Sequence, residues 1–303
     1  MKDIKVDGER FLLEDDGKFY GLLYDVVFKA VFGHRKNSQL LVILLNALLE
    51  LQGDKKIKYL TIQNPFSHQQ FRSDKISIID IKATDISGEQ YCVEVQMRGH
   101  QALMERIIYY GATRYVSQIS KGEEYKELKR TVSLWILQEK FLPDTEKPIH
   151  NCYALHNNQS YHKLTDLVEY HFIELHKFSE DIALKSSFER WLHVLKFGER
   201  YKDLQGLPKE LLQEEGIMTA LTTMKEVNSN KKARETIFLR NMYLSDIATI
   251  KGQAYRDGQE EERRKSEIKL AEVNRLREEE RRLREAAEKE LAELKKKLGQ
   301  SGD

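Results

Sequence analysis

The sequence predicts an α/β fold: a mixed sheet of four or five strands flanked by helices, then a helical region and a long charged C-terminal helix. Three observations lead there. The stretch Asp74–Arg98, DKISIIDIKATDISGEQYCVEVQMR, reads as a β-hairpin. Helix-spaced apolar residues stand on either side of it, and short apolar strands such as TVSLWILQ follow. Beyond Gly258 the chain is almost entirely Glu, Lys, Arg, Ala and Leu, the composition of a helix former. At 303 residues there is enough chain for a sizeable core.

In the hairpin, Lys75–Asp85 is rich in isoleucine and Gln90–Met97 alternates apolar and polar residues. Between them Asp85-Ile86-Ser87-Gly88 has the chemistry of a type I turn closed by a left-handed glycine, the usual three-residue hairpin loop. If Ile86, Ser87 and Gly88 are the loop, Asp85 faces Glu89, Lys82 faces Cys92 and Asp80 faces Glu94. Gln96 then shares the face of Glu94, with Ile79, Ile81, Val93 and Val95 on the other. Two opposed carboxylates repel at a Cβ separation of roughly 4.5–5.5 Å. Either they sit on a wet face, or they hold a hard divalent cation, which takes oxygen ligands. A loop one residue longer or shorter would separate Asp80 from Glu94.

Taken in order, the first twenty residues are polar and carry little signal. Leu22–Glu50 reads as two helices broken near Gly33, with Phe28, Val31 and Phe32, then Leu40, Ile43, Leu44, Ala47 and Leu48, at helical spacing. Asp25 is placed as an acid favoured by the dipole of a helix N-terminus. After the hairpin, His100–Ser120 reads as a helix that puts Arg106 and Tyr110 on one face. Thr131–Gln138 and Asn151–His156 read as strands, and Leu167–Phe178 alternates in part. Ser187–Tyr201 reads as a helix, and residues 204–250 as two or three short ones. His171 and His176 are five apart in a strand and point to opposite faces, so with His162 they make no zinc set, and no cysteine pair assists.

Composition narrows the function classes. Two cysteines, Cys92 and Cys152, provide no disulfide framework, and the opening MKDIKVDGER is not a signal peptide. The longest apolar run, Leu40–Leu49, is far short of the ~20 residues that span a bilayer. A soluble, cytoplasmic protein is expected. Net charge is +1, and removing the balanced 259–298 stretch leaves the rest neutral, so no overall basic field advertises nucleic acid. Local basic clusters stand at His34-Arg35-Lys36, Lys55–Lys58 and Lys126–Arg130.

An Asp on one strand, then after a short turn Glu-x-Gln on the next, resembles the core of the PD-(D/E)XK nucleases. With "DIKATD", the glycine and "VEVQ", the hairpin resembles the branch of PD-(D/E)XK nuclease family transposases, related to the recombination-promoting nucleases. The matching segments include Asp25, Phe28-Lys29, Phe32-Gly33, the 45–49 stretch, Arg106 with Tyr109 and Tyr110, "KGEEYKELK", "FIELHKF", "ERWLHVLKF" and "AYRDGQEEE". They span approximately Leu22–Tyr201 and return at Ala254. The resemblance implies a metal-dependent DNA endonuclease of the recombination or transposase type, with Mg²⁺ or Mn²⁺ held by Asp80 and Glu94. Gln96 stands where the wider superfamily has Lys and would orient the attacking water or a phosphate oxygen. Lys82, on the strand face of Asp80, would supply positive charge, and Asp25, Arg106 and Tyr110 would support the site. The alternative is a non-catalytic nucleic-acid- or protein-binding module that keeps the fold, with an oligomerising tail.

The expected division is a nuclease-like domain over 1–203, a helical region over 204–251 and a charged tail over 252–303. In the tail, Leu276, Leu283, Ala287, Leu291, Leu294 and Leu298 recur at about 3.67 residues per turn, off the 3.5 of a left-handed coiled coil. That stripe fits either a long solvated helix or a weak homo-oligomerisation helix.

Overall fold

The computed structural model describes residues 3–6, 9–12, 17–64, 81–97, 102–143 and 148–299. The chain divides into two compact units, 1–239 and 240–303, where the sequence reading drew boundaries after 203 and 251.

The first unit opens with a two-stranded antiparallel hairpin, β1 (Asp3–Val6) and β2 (Glu9–Leu12), which the polar N-terminal text did not announce. Two helices follow, α1 (Asp25–Phe32) and α2 (Ser38–Leu48). The break falls at Gly33, whose N–H closes α1 on the Lys29 carbonyl at 2.8 Å. A Cβ at Gly33 would stand 2.8 Å from that same carbonyl, so this helix end needs a glycine.

The main sheet has six strands, one more than the upper expectation. They are β3 (Leu60–Ile62), β4 (Ile81–Asp85), β5 (Gln90–Gln96), β6 (Thr131–Leu137), β7 (His150–His156) and β8 (Lys163–Glu174). Their order is β3-β4-β5-β6-β8-β7. The extra strand, β3, is three residues long, too short for alternation to register in the sequence. β4 pairs antiparallel with β3 and β5, the β5–β6 and β6–β8 pairs are parallel, and β7 closes antiparallel on β8. The parallel step from β5 to β6 is made through helix α3 (Leu103–Val116). β8 begins earlier than alternation suggests, because its outer end pairs with β7 past two register shifts, where no face is buried.

Period-two alternation divides the sheet between two cores. On one face Ile81, Ala83, Tyr91, Val93, Val95, Val132, Leu134, Ile136 and Ile173 pack with α1, α2 and helix α4 (Ser187–Phe197). On the other, Leu103 and Ile107 of α3 meet Trp135, Leu137, Leu142 and Phe172. α4 starts at a capping box, in which Ser186 and Glu189 satisfy each other's backbone N–H groups. The Glu-Leu-x-Lys-Phe segment after β8 is a structural knot. Fully buried Glu174 accepts from the Phe141 and Leu142 N–H groups and pairs with Lys177. Lys196 of α4 donates to the Leu175 and Phe178 carbonyls at 2.8 and 2.6 Å.

Two further helices, α5 (Lys209–Leu212) and α6 (Ile217–Ser229), complete the first unit together with the start of α7 (Lys231–Gly299), where Ala233 and Ile237 are buried. In the second unit Leu276, Leu283 and Leu291 are exposed, and the surface carries i,i+4 ion pairs such as Lys265–Glu261 at 2.6 Å and Arg282–Glu278 at 3.2 Å. Each such pair contributes about 0.3–0.5 kcal/mol to the helix.

Two outcomes follow from this packing. A Cβ on Gly111 of α3 would lie 2.5 Å from the Tyr170 ring, whose hydroxyl donates to the Ile108 carbonyl at 3.3 Å. Gly111→Val should therefore destabilise the protein by about 1–3 kcal/mol in chemical unfolding through overpacking; an unchanged midpoint would mean that α3 sits farther from β8. Removing residues 258–303 should leave cooperative thermal unfolding of the remainder, and its loss would place the tail within the core.

Candidate active site on the α3 face of strand β5

The β4–β5 loop fixes where everything else falls. Asp85 Oδ1 accepts from Ser87 N, Ser87 Oγ and Glu89 N at 2.9, 2.7 and 2.9 Å. Gly88 takes φ +88°, a left-handed conformation open to glycine at no steric cost, and its N–H returns to the Asp85 carbonyl. The three-residue loop is the expected one, and so is the register: Lys82 faces Cys92 and Ile81 faces Val93. Asp80, the next residue outward, lies outside the described residues, as does Ile79.

On β5 the side chains of Gln90, Cys92, Glu94 and Gln96 share the face covered by α3, while Tyr91, Val93 and Val95 enter the opposite core. Glu94 is only 6% exposed and stands in register with Trp135 of β6. This is no wet sheet face. A carboxylate so deep persists as an anion only with cationic or donor groups against it.

α3 brings two arginines down onto this strand. Arg106 donates from Nη2 to Gln96 Oε1 at 2.8 Å, and its guanidinium lies 5.7 Å from the ring centres of both Tyr110 and Trp135. An arginine can only donate, so the amide oxygen of Gln96 is the atom turned to it. Two turns on, Arg114 donates to Gln90 Oε1 and reaches Thr84 Oγ1 at 3.5 Å. Burial pushes the Cys92 thiol up to about 11 against the pull of Arg114 and Lys82, so Cys92 stays protonated and offers no nucleophile.

The other expected supports are placed less closely. Lys82 is half-buried, and its backbone is held by Asn64 Oδ1 at 2.6 Å. Asp25 accepts from the Val26 N–H at 2.8 Å at the head of α1, the helix-terminal role that its position suggested. The basic cluster 126–130 disperses: Lys126 pairs with Glu124 at 2.7 Å and Arg130 with Glu169 and Glu89. Lys129 instead joins Arg114, Gln90, Thr84, Gln118 and the carboxylate residue Glu127 around an open cavity of about 290 Å³. Neither Arg114 nor Lys129 has a carboxylate partner among the described residues. Sequence reading passed over Arg114, whose only signal was its place two turns beyond Arg106.

For a resident metal, the residues fit. Glu94 is a buried oxygen donor suited to a hard divalent cation, and Gln96 stands beside it with its amide already oriented. No helix among the described residues is long and apolar enough to cross a membrane. Comparison with known proteins matches no curated protein and no solved structure. One family model does match, over residues 22–254, through the hairpin, α3, the Glu-Leu-x-Lys-Phe knot and the start of α7. Mixed sheet, hairpin register and family match agree, and the chain belongs to the PD-(D/E)XK nuclease family transposases.

Proposed function

We propose that this nuclease-family chain is a metal-dependent DNA endonuclease whose centre is Asp80 and Glu94, with Gln96 as the residue that positions water or phosphate. The observation that carries this reading is the Glu94–Gln96–Arg106 arrangement: a buried carboxylate, and beside it an amide whose orientation an arginine dictates. Counting from the loop as the sequence does, Asp80 would face Glu94, and two carboxylates at that spacing would form a site for Mg²⁺ or Mn²⁺. The ion, when bound, lowers the pKa of a coordinated water and offsets charge on the phosphate.

What the chain itself contributes can be derived. Gln96 cannot exchange a proton readily, so its part is to donate a hydrogen bond from its NH₂ group to an anionic oxygen. Arg106 holds that group in one orientation from a cradle of two aromatic rings, while Tyr110 restricts the guanidinium. Lys82 adds positive charge from the strand opposite, and Asp25 supports from α1. The Arg114–Lys129 cavity is four residues along β5 from Glu94, roughly 13 Å at ~3.3 Å per residue. It is a seat for a phosphate of the same strand. The second unit is proposed as a solvated tail that can self-associate weakly, and the cytoplasm as the place of action.

Three measurements test this. Mg²⁺ or Mn²⁺ should raise the melting temperature of the wild type by linkage. Asp80→Ala and Glu94→Ala should each remove that shift and abolish cleavage of DNA, while leaving the apo fold at least as stable. Cleavage that survives either substitution would put the chemistry elsewhere. Gln96→Ala should keep the metal-induced shift and slow cleavage about 10²-fold. Arg106→Ala should cost a similar factor, and the double variant little more than either single one, since both act through one hydrogen bond. Full additivity would detach Arg106 from Gln96. Finally, Arg114→Ala and Lys129→Ala should each flatten the salt dependence of DNA binding by about one unit of slope. A slope equal to that of the wild type would remove phosphate from that cavity.

A further inference from the structure

On the sheet face opposite Glu94, the β7–β8 pair brings together side chains that no sequence spacing joins. Cys152 and His171 are register partners, and Glu169 is two residues from His171 on the same face. Cys152 Sγ lies 3.6 Å from His171 Nε2, which lies 3.6 Å from Glu169 Oε2. One ligand atom from each residue falls within 4.8 Å of the other two. We propose that Cys152, His171 and Glu169 bind a single zinc-class divalent ion, separate from the carboxylate site on β5.

Cys152 and His171 are also within reach of an S–H···N hydrogen bond, so it is the His171–Glu169 edge that sets this cluster apart. An N–H···O bond has its heavy atoms within about 3.2 Å, so 3.6 Å between His171 and Glu169 is too long for one. Two ligands on a tetrahedral zinc, with Zn–S near 2.3 Å and Zn–N or Zn–O near 2.05 Å, stand ~3.6 Å apart for S and N and ~3.4 Å for N and O. Both observed separations match such tetrahedral edges.

The surroundings are also those of ligands held in place. His150 Nε2 is 2.9 Å from His171 Nδ1, so the far nitrogen of the His171 ring has a partner and the ring has one orientation. His150 stands 3.7 Å from Glu50, and burial together with His171 lowers its ring to about 4, leaving it neutral at neutral pH. The Glu169 carboxylate is fixed by Arg130 and by Lys163 Nζ at 2.5 Å. Cys152 is exposed, which leaves an entry path and room for a water as fourth ligand. A thiolate and Glu169 would bring two negative charges to the ion, with Arg130 and Lys163 also against the Glu169 carboxylate. A mixed N, O and S set suits Zn²⁺ or Co²⁺ and disfavours Mg²⁺, which prefers oxygen alone. Binding would clasp β7 to β8 just before the two register shifts.

The test uses the full-length wild type, freed of metal by chelation and titrated with Co²⁺ and then Zn²⁺. One equivalent of Co²⁺ should produce an ultraviolet thiolate-to-metal charge-transfer band that Zn²⁺ bleaches. Cys152→Ser, at an exposed position that does not threaten the fold, should abolish the band, and His171→Ala should weaken affinity at least tenfold. Cys92→Ala and Glu94→Ala should leave the thiolate band unchanged, separating this site from the one on β5. Uptake should strengthen as pH rises, because the thiol proton is released. A wild type that shows no band at micromolar metal, or a band that survives Cys152→Ser, overturns the site.

Discussion

The structure depends on one carboxylate that does no chemistry. Asp85 ties down three donors of its own loop, and the loop it closes has room for three residues and no more. Because side chains in a strand alternate with period two, the choice of loop decides for the whole of β5 which residues meet α1 and α2 and which meet α3. Val93 and Val95 enter the larger core, and Glu94 and Gln96 come under the helix that carries Arg106. A slip of one residue would exchange the two sets. It would bury a valine against the Arg106 guanidinium and leave two polar side chains facing α2. Register, site and both hydrophobic layers are a single choice.

Much of this was legible from residue chemistry, and the reasons differ by element. The β4–β5 loop is local: Asp at its start and Gly at its end specify one turn type, so the pairing of Lys82 with Cys92 can be counted from the sequence. The break at Gly33 and the buried TVSLWIL strand are likewise written in contiguous text. β3 was not legible, since three residues on a sheet edge carry no period. Of the candidate site, the strand face that Glu94 and Gln96 share was legible, but not the bond between Gln96 and Arg106, because strand-to-helix contacts depend on how far α3 is displaced along the sheet. The burial of Glu94 was equally hidden: the sequence places an acid on a face, and only the packing of α3 decides whether that face is wet.

The cluster on β7 and β8 marks the other limit. In the sequence, strand periodicity sets His171 and His176 on opposite faces, but the strand ends at Glu174 and His176 lies in the helical turn Leu175–Lys177, so that count does not apply to the pair. The partners of His171 are Cys152, which strand pairing brings across from nineteen positions away, and Glu169 on its own strand. Sequence spacing recognises ligand sets that lie along one segment, such as two cysteines on a knuckle or two histidines on a helix turn. It is blind to sets assembled across a ladder whose register shifts twice before the hairpin turns.

Strand β5 has two unlike neighbours, and that asymmetry sets an order of events as the chain folds. Its antiparallel partner β4 is joined through a three-residue loop, so this contact closes on the microsecond scale of an isolated hairpin. Its parallel partner β6 starts thirty-five residues beyond the end of β5, and joining them means looping out the whole of α3 and its flanking turns. If the hairpin closes first, alternation on β5 would be settled while its α3 face is still in water, and Glu94 would be desolvated only when α3 docks. Burial of the carboxylate beside Trp135 would then fall outside the step that decides the register.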